Sequence, residues 1–193
     1  YVMFFNFFRL NIILLLLLIT VRNVNGQTNY ETLIDSANIA EERLDYQNTV
    51  FFLEDALEIS KTSRNSKQII GNAIRIGDTY MSLDNMNKAL ESYIEALRRT
   101  ENIKNDSLNF EINVRLADFY MNLEEIEISR KHMNRLKRFV HKLNQKELYR
   151  RYYNQLGIFE RNNKNFEASV EAYKKALELT EQSDHSSRII YTL

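Results

Sequence analysis

Apolar side chains recur at three-and-four spacing through Ile69, Ile70, Ala73, Ile76, Gly77 and Tyr80, the mark of a helix with one buried stripe. After Leu83-Asp84-Asn85 a second stripe follows at Ala89, Leu90, Tyr93, Ala96 and Leu97. The pattern predicts a helix over about residues 66–82, a short turn, and a helix over about 86–100, with Asn85 or Asp84 as its N-cap. This pair then repeats along the chain. In rows of forty residues, Ala37, Gly77, Ala117 and Gly157 share one column. Leu53, Tyr93, Met133 and Tyr173 share a second, and Ala56, Ala96, Leu136 and Ala176 a third. Tyr46, Met86, Ile126 and Phe166 open the second helix of each row as an apolar wedge.

Small residues in these columns mark places where two helix backbones approach closely. Gly77 is expected to face Ala89 and Ala96, and Gly157 to face Ser169 and Ala176, where a larger side chain would push the helices apart. A single pair of helices buries too little apolar surface to offset chain entropy, so successive pairs must stack. The expectation is an all-α chain of four units, 30–69, 70–109, 110–149 and 150–189, with 190–193 starting a fifth. Its Met, Phe and Tyr residues are then assigned to packing rather than to a cofactor.

The stretch Asn72 to Leu97, with Gly77 and Tyr80 spaced as G-x-x-Y and Ala89 and Tyr93 as A-x-x-x-aromatic, resembles the tetratricopeptide repeat (TPR). Tyr153 to Leu179 shows the same offsets through Leu156-Gly157 and Ala172-Tyr173, with Ala176 following. The resemblance implies a right-handed superhelical solenoid of antiparallel helix pairs that binds a peptide or partner helix on its concave face. That face is lined by outward residues of each first helix. Here they are Asn38, Glu41 and Glu42; Arg75, Asp78 and Met81; Arg115, Asp118 and Asn122; and Asn154, Gln155, Ile158 and Arg161. The alternative is a solvated groove of mutually compensating Arg–Asp pairs. Ile34 and Glu111 stand where some members carry carboxylate-clamping lysines, so that specificity is not expected. The row of forty exceeds the usual period of about 34. Six further residues are expected in the helix ends and in the Asn/Ser-rich segments 60–66 and 102–107. Proline closes none of the rows.

The first residues follow a different pattern. Leu10 to Val21 is an apolar run of twelve residues behind Arg9, and Val24 and Gly26 suit cleavage before Gln27. Residues 1–26 therefore read as a secretory signal, since a bilayer-spanning helix needs about twenty apolar residues. Counting from Val2 to Val21 gives the alternative, an uncleaved anchor. The expected setting is exported, periplasmic or cell-envelope. A membrane enters only through that anchor or a further span beyond Leu193, where kinase or transcription-regulator modules would make the chain a sensory input region.

Composition narrows the chemistry. The 26 basic and 26 acidic residues leave no net charge that argues for nucleic acid. Absent cysteine excludes disulfides, thiolate metal sites and thiol catalysis. His132 and His141 are nine residues apart and His185 is remote, a spacing unsuited to one metal ion, and no Gly-rich phosphate loop or nucleophile elbow occurs. No enzyme, cofactor or metal is expected. Asn105-Asp106-Ser107 fits the glycosylation pattern. From Arg130 to Arg151 nine basic residues stand against Glu147, a density that can attract phosphates or an anionic membrane surface. It is read instead as a solvated face or a docking patch for a protein, balanced by the nearby acids Glu124, Glu125 and Glu127.

Overall fold

The computed structural model describes residues 29–181; the signal segment, His185 and the start of a fifth unit lie outside them. Eight helices follow one another: α1 (29–42), α2 (Tyr46–Thr62), α3 (Ser66–Ser82), α4 (Met86–Ile103), α5 (Asp106–Asn122), α6 (Ile126–Leu143), α7 (Lys146–Asn162) and α8 (Phe166–Glu181). No strand occurs among the described residues, and none of their helices is long and apolar enough to cross a membrane. Helix starts at 66, 106 and 146 keep the forty-residue period, four residues ahead of the row boundaries at 70, 110 and 150.

What ends each of α1 to α7 is a left-handed residue recurring every twenty positions: Leu44, Arg64, Asp84, Lys104, Glu124, Asn144 and Lys164, with φ between 48° and 63°. Around it the backbone closes the helix by the Schellman pattern. The Leu44 N–H donates to Glu41 O and the Asp45 N–H to Ala40 O, both at 2.9 Å. The same two bonds recur at 64–65, 84–85, 124–125 and 164–165. The following residue then starts the next helix. Asp45, Asn65, Asn85 and Asn105 accept from the backbone N–H three residues on, whereas Glu125 and Gln145 make no such cap. Asn85 is thus the cap of α4, and Asp84 supplies the left-handed turn. Segments 60–62 and 102–103 are helical, so those extra residues lengthen helices, and the turns stay two or three residues long.

The described chain divides into two compact units, up to Ala89 and from Leu90. In the first, α2 packs on α3 through Val50, Leu53 and Ala56 against Ile69, Ile70, Ala73 and Ile76, all buried. Tyr30 on α1 reaches Asn72 on α3 (Oη to Oδ1, 3.3 Å), and Asn72 Nδ2 donates to Ser60 Oγ at 3.2 Å. In the second, α5 pairs with α6 and α7 with α8, over a core of Phe110, Val114, Ala117, Met133, Leu136, Val140, Leu148, Tyr152 and Phe159. Tyr93 of α4 meets Phe119 edge-on at 6.1 Å.

The repeat columns are packing positions. Ala37, Ala56, Ala89, Ala96, Ala117, Leu136 and Ala176 are all 0% exposed. Tyr80 and Gly77 are buried and Tyr173 is half-buried. At Gly157 the close approach has a specific cause: an added Cβ would stand 2.6 Å from Tyr173 Cε1, beneath the ring. Beside it Ser169 Oγ donates to Gly157 O at 2.8 Å, and forty residues earlier Ser129 Oγ donates to Ala117 O at 2.9 Å. The wedge expectation fails for two members. Ile126 is 40% and Phe166 63% exposed, because the position that enters the core is three residues later, at Thr49, Ala89, Ser129 and Ser169.

Candidate partner-binding face

Several of the outward residues expected on α1, α3, α5 and α7 are occupied by their neighbours within each unit. In the first unit Arg75 Nη2 on α3 donates to Asn38 Oδ1 (2.8 Å) and Glu41 Oε2 (2.7 Å) on α1. Both partners are exposed, so this fork orients α1 on α3 more than it stabilises, contributing under about 1 kcal/mol. Asp78 is half-buried and also engaged. Tyr80 Oη donates to Glu54 Oε1 at 2.8 Å; burial, then this bond, holds its hydroxyl above the usual pKa.

In the second unit Gln155 Nε2 on α7 donates to Asp118 Oδ1 on α5. The offset of 37 residues equals that of Arg75 to Asn38, so one bridge recurs between successive first helices. Arg151 grips Glu111 through both guanidinium nitrogens, with Nη2 to Oε2 at 2.7 Å, while its plane lies 5.1 Å from the Phe110 ring centroid. That bond raises the Arg151 pKa further. Glu111, standing where a clamp lysine was absent, is therefore an inter-helix anchor. Arg115 is half-buried and engaged. Asn122, Asn154 and Arg161 keep side chains without a partner among the described residues. Asn122 lies at a cleft of about 460 Å³ between the α5–α6 and α7–α8 turns, lined also by Met121, Ile126 and Phe159. Asn163, on the same cleft, has a buried Nδ2 that lacks an acceptor among the described residues.

Two features escaped the sequence. His132 is buried on α6, stacked on Tyr120 at 5.7 Å, with Nδ1 2.8 Å from Asn113 Oδ1. Asn113 gives its amide N–H to Asn109 O (2.7 Å), so its oxygen accepts and the imidazole donates from Nδ1. Burial, with a smaller push from Arg135, lowers the His132 pKa to about 4, and the ring is neutral at pH 7. No signal for a pair 19 residues apart exists in the helix pattern. Second, the basic run draws its counter-charges from elsewhere than expected. Glu127 pairs with Arg130 at 3.6 Å, but Arg135, Lys142 and Arg151 pair with Glu101, Asp106 and Glu111 on other helices. Among the described residues no group of three or more His, Cys, Asp or Glu is placed to hold a metal. Asn105 is engaged as a cap, its Oδ1 3.0 Å from Leu108 N.

These elements define an all-α array of antiparallel helix pairs joined by one recurring turn. Residues 73–103 and 151–183, which coincide with α3–α4 and α7–α8, match the tetratricopeptide repeat family. Two segments of the chain thus match tetratricopeptide repeats, and the fold agrees with that resemblance. Its fold is similar to BtubC (BKLC) from P. vanneervenii, at 17% identity and TM-score 0.69 over 82% of this chain. The chain spans 65% of BtubC. It is also similar to a Podosopora anserina protein described as a kinesin light chain with nearly identical TPR-like repeats. There the identity is 13% and the TM-score 0.63, over 83% of this chain and 77% of that one. No curated protein matches the sequence. Tetratricopeptide repeats of this kind serve protein–protein interaction.

Proposed function

We propose that the chain is a non-enzymatic scaffold that binds an extended peptide or a partner helix on its concave face, in an exported, cell-envelope setting. The observation that carries the reading is the row of polar side chains on α5 and α7 of the second unit, where Asn122, Asn154 and Arg161 have no partner among the described residues. The polar side chains of α3 in the first unit follow the same repeat positions. Paired members order the polar surface within each unit: Arg75 is held by Asn38 and Glu41 in the first, and Gln155 by Asp118 in the second. A pre-ordered polar face loses little entropy on taking up a peptide backbone. Export is supported by the apolar run Leu10 to Val21 and the small residue Gly26.

Peptides selected from a random library on the full chain test this reading. Asn154→Ala with Arg161→Ala should weaken the selected peptides about tenfold, equivalent to about 1.4 kcal/mol, while melting stays unchanged. Equal affinity for this variant and the parent would refute recognition by that face. A reporter fused after residue 26 tests export, and its retention in the cytoplasm would refute the setting.

A further inference from the structure

On the side of α5 opposite Glu111, Arg115 and Asp118, a cleft of about 390 Å³ opens between the C-terminal ends of α4 and α6. Four cations, Lys104, Arg135, Arg138 and Lys142, line it against two carboxylates, Glu101 and Asp106. Lys142 holds Asp106 at 2.7 Å, but Arg135 stands 3.9 Å from Glu101, the outer limit of an ion pair. Lys104 and Arg138 have no counter-charge among the described residues. The floor is neutral: Asn109 and Asn113 are buried and turn their amide N–H groups to Asn105 O and Asn109 O. Phe139 supplies a half-buried apolar wall. The basic run thus does not form an even solvated face. Arg135, Arg138 and Lys142 gather on one stripe of α6, and Lys131 and Lys137 lie outside the cleft.

We infer that this cleft is a second binding site, for an acidic peptide segment of the form acid-x-acid next to an apolar residue. Two excess positive charges around a neutral floor select an anion. Guanidinium forks match carboxylates in plane, which favours Arg138, without a counter-charge, as the first recognising group, with Lys142 as the second once a ligand carboxylate takes the place of Asp106. Arg138 and Lys142 are four residues apart on a helix, about 6 Å along its axis. Same-side residues of an extended chain repeat at about 6.6–6.8 Å, so two alternate carboxylates meet both cations. A flat anionic membrane would instead meet the exposed Lys131 and Lys137. The site shares no residue with the concave face and stands whether or not that face binds a partner.

The test is fluorescence anisotropy with the full chain at about 150 mM salt, where long-range attraction is screened. The probe is a fluorescein-labelled peptide carrying Glu-x-Glu-Phe, with the Gln-x-Gln-Phe peptide as its neutral counterpart. Arg138→Glu should weaken the acidic peptide at least about tenfold, while Lys137→Glu, the same charge change outside the cleft, should cost less than about twofold. The neutral peptide should not bind. Equal losses in both variants, or none in either, would overturn the assignment. So would capture of the chain by phosphatidylserine vesicles that both variants lose alike. Circular dichroism checks folding, and should Arg138→Glu unfold, Arg138→Gln carries the same comparison with a smaller loss.

Discussion

Gly157 and Gly71 occupy helix interiors, yet the same substitution at the two should act in opposite directions. Replacing a helical glycine with alanine gains about 1 kcal/mol of backbone entropy and propensity where space permits. At Gly71 nothing lies within 4 Å of an added Cβ, so Gly71→Ala should gain that amount. At Gly157 the new Cβ would stand 2.6 Å from Tyr173 Cε1 and 2.8 Å from Cδ1 and Cζ. Carbon atoms rest at about 3.5–4.0 Å, so the ring must move by about 1 Å. Tyr173 is half-buried and can swing outward, but it then leaves α7 and gives up apolar contact. Overpacking of this sort costs about 1–3 kcal/mol, so Gly157→Ala should lose a net 1 kcal/mol or about that. In a Tyr173→Ala background the obstacle is gone, and Gly157→Ala should gain about 1 kcal/mol, a coupling of about 2 kcal/mol. Thermal melts followed by circular dichroism should resolve this, since 1 kcal/mol moves Tm by about 2–4 °C in a chain of this size. If Gly157→Ala raises Tm in the parent background as Gly71→Ala does, the ring does not cover the glycine and the α7–α8 crossing is wrong.

Three further outcomes follow from the packing and the turns. Ala176→Arg, at a position without exposed surface, should bury an unpaired charge and unfold at least α7 and α8, visible as lost helical ellipticity. His132, at about 4 in the fold and about 6.5 when unfolded, is protonated first in the unfolded chain as pH drops. Stability should therefore fall below pH 6.5, by about 2 kcal/mol at pH 5, and urea titrations of His132→Gln should show a correspondingly smaller drop. Lys164→Gly should stabilise by about 1 kcal/mol and Lys164→Val destabilise, because φ of 63° is relaxed only for glycine; urea midpoints check both.

The helix pairs were legible because a buried face writes itself as a three-and-four stripe, and their register because the column Ala56, Ala96, Leu136 and Ala176 is apolar and fully buried. The turns were only half legible. Their left-handed residues are Leu, Arg, Asp, Lys, Glu, Asn and Lys, so no glycine marks them, and the twenty-residue step is carried by backbone bonds alone. Burial at the helix starts was misjudged for Phe166, since an aromatic at the first helical position can point to solvent as readily as to the core. On the outward face, residue types were readable but their pairing was not. Arg75 to Asn38 and Gln155 to Asp118 depend on how neighbouring first helices align, which no local pattern encodes. The cleft beside α6 was hidden for the same reason, as its charges come from three helices.

Hydrogen exchange of the full chain, with and without a library-selected peptide, tests the concave-face reading most directly. Binding there should slow exchange in α3, α5 and α7 and leave α2, α6 and α8 unchanged. Slowing confined to α2, α6 and α8, or exchange unaltered by a bound peptide, would contradict it.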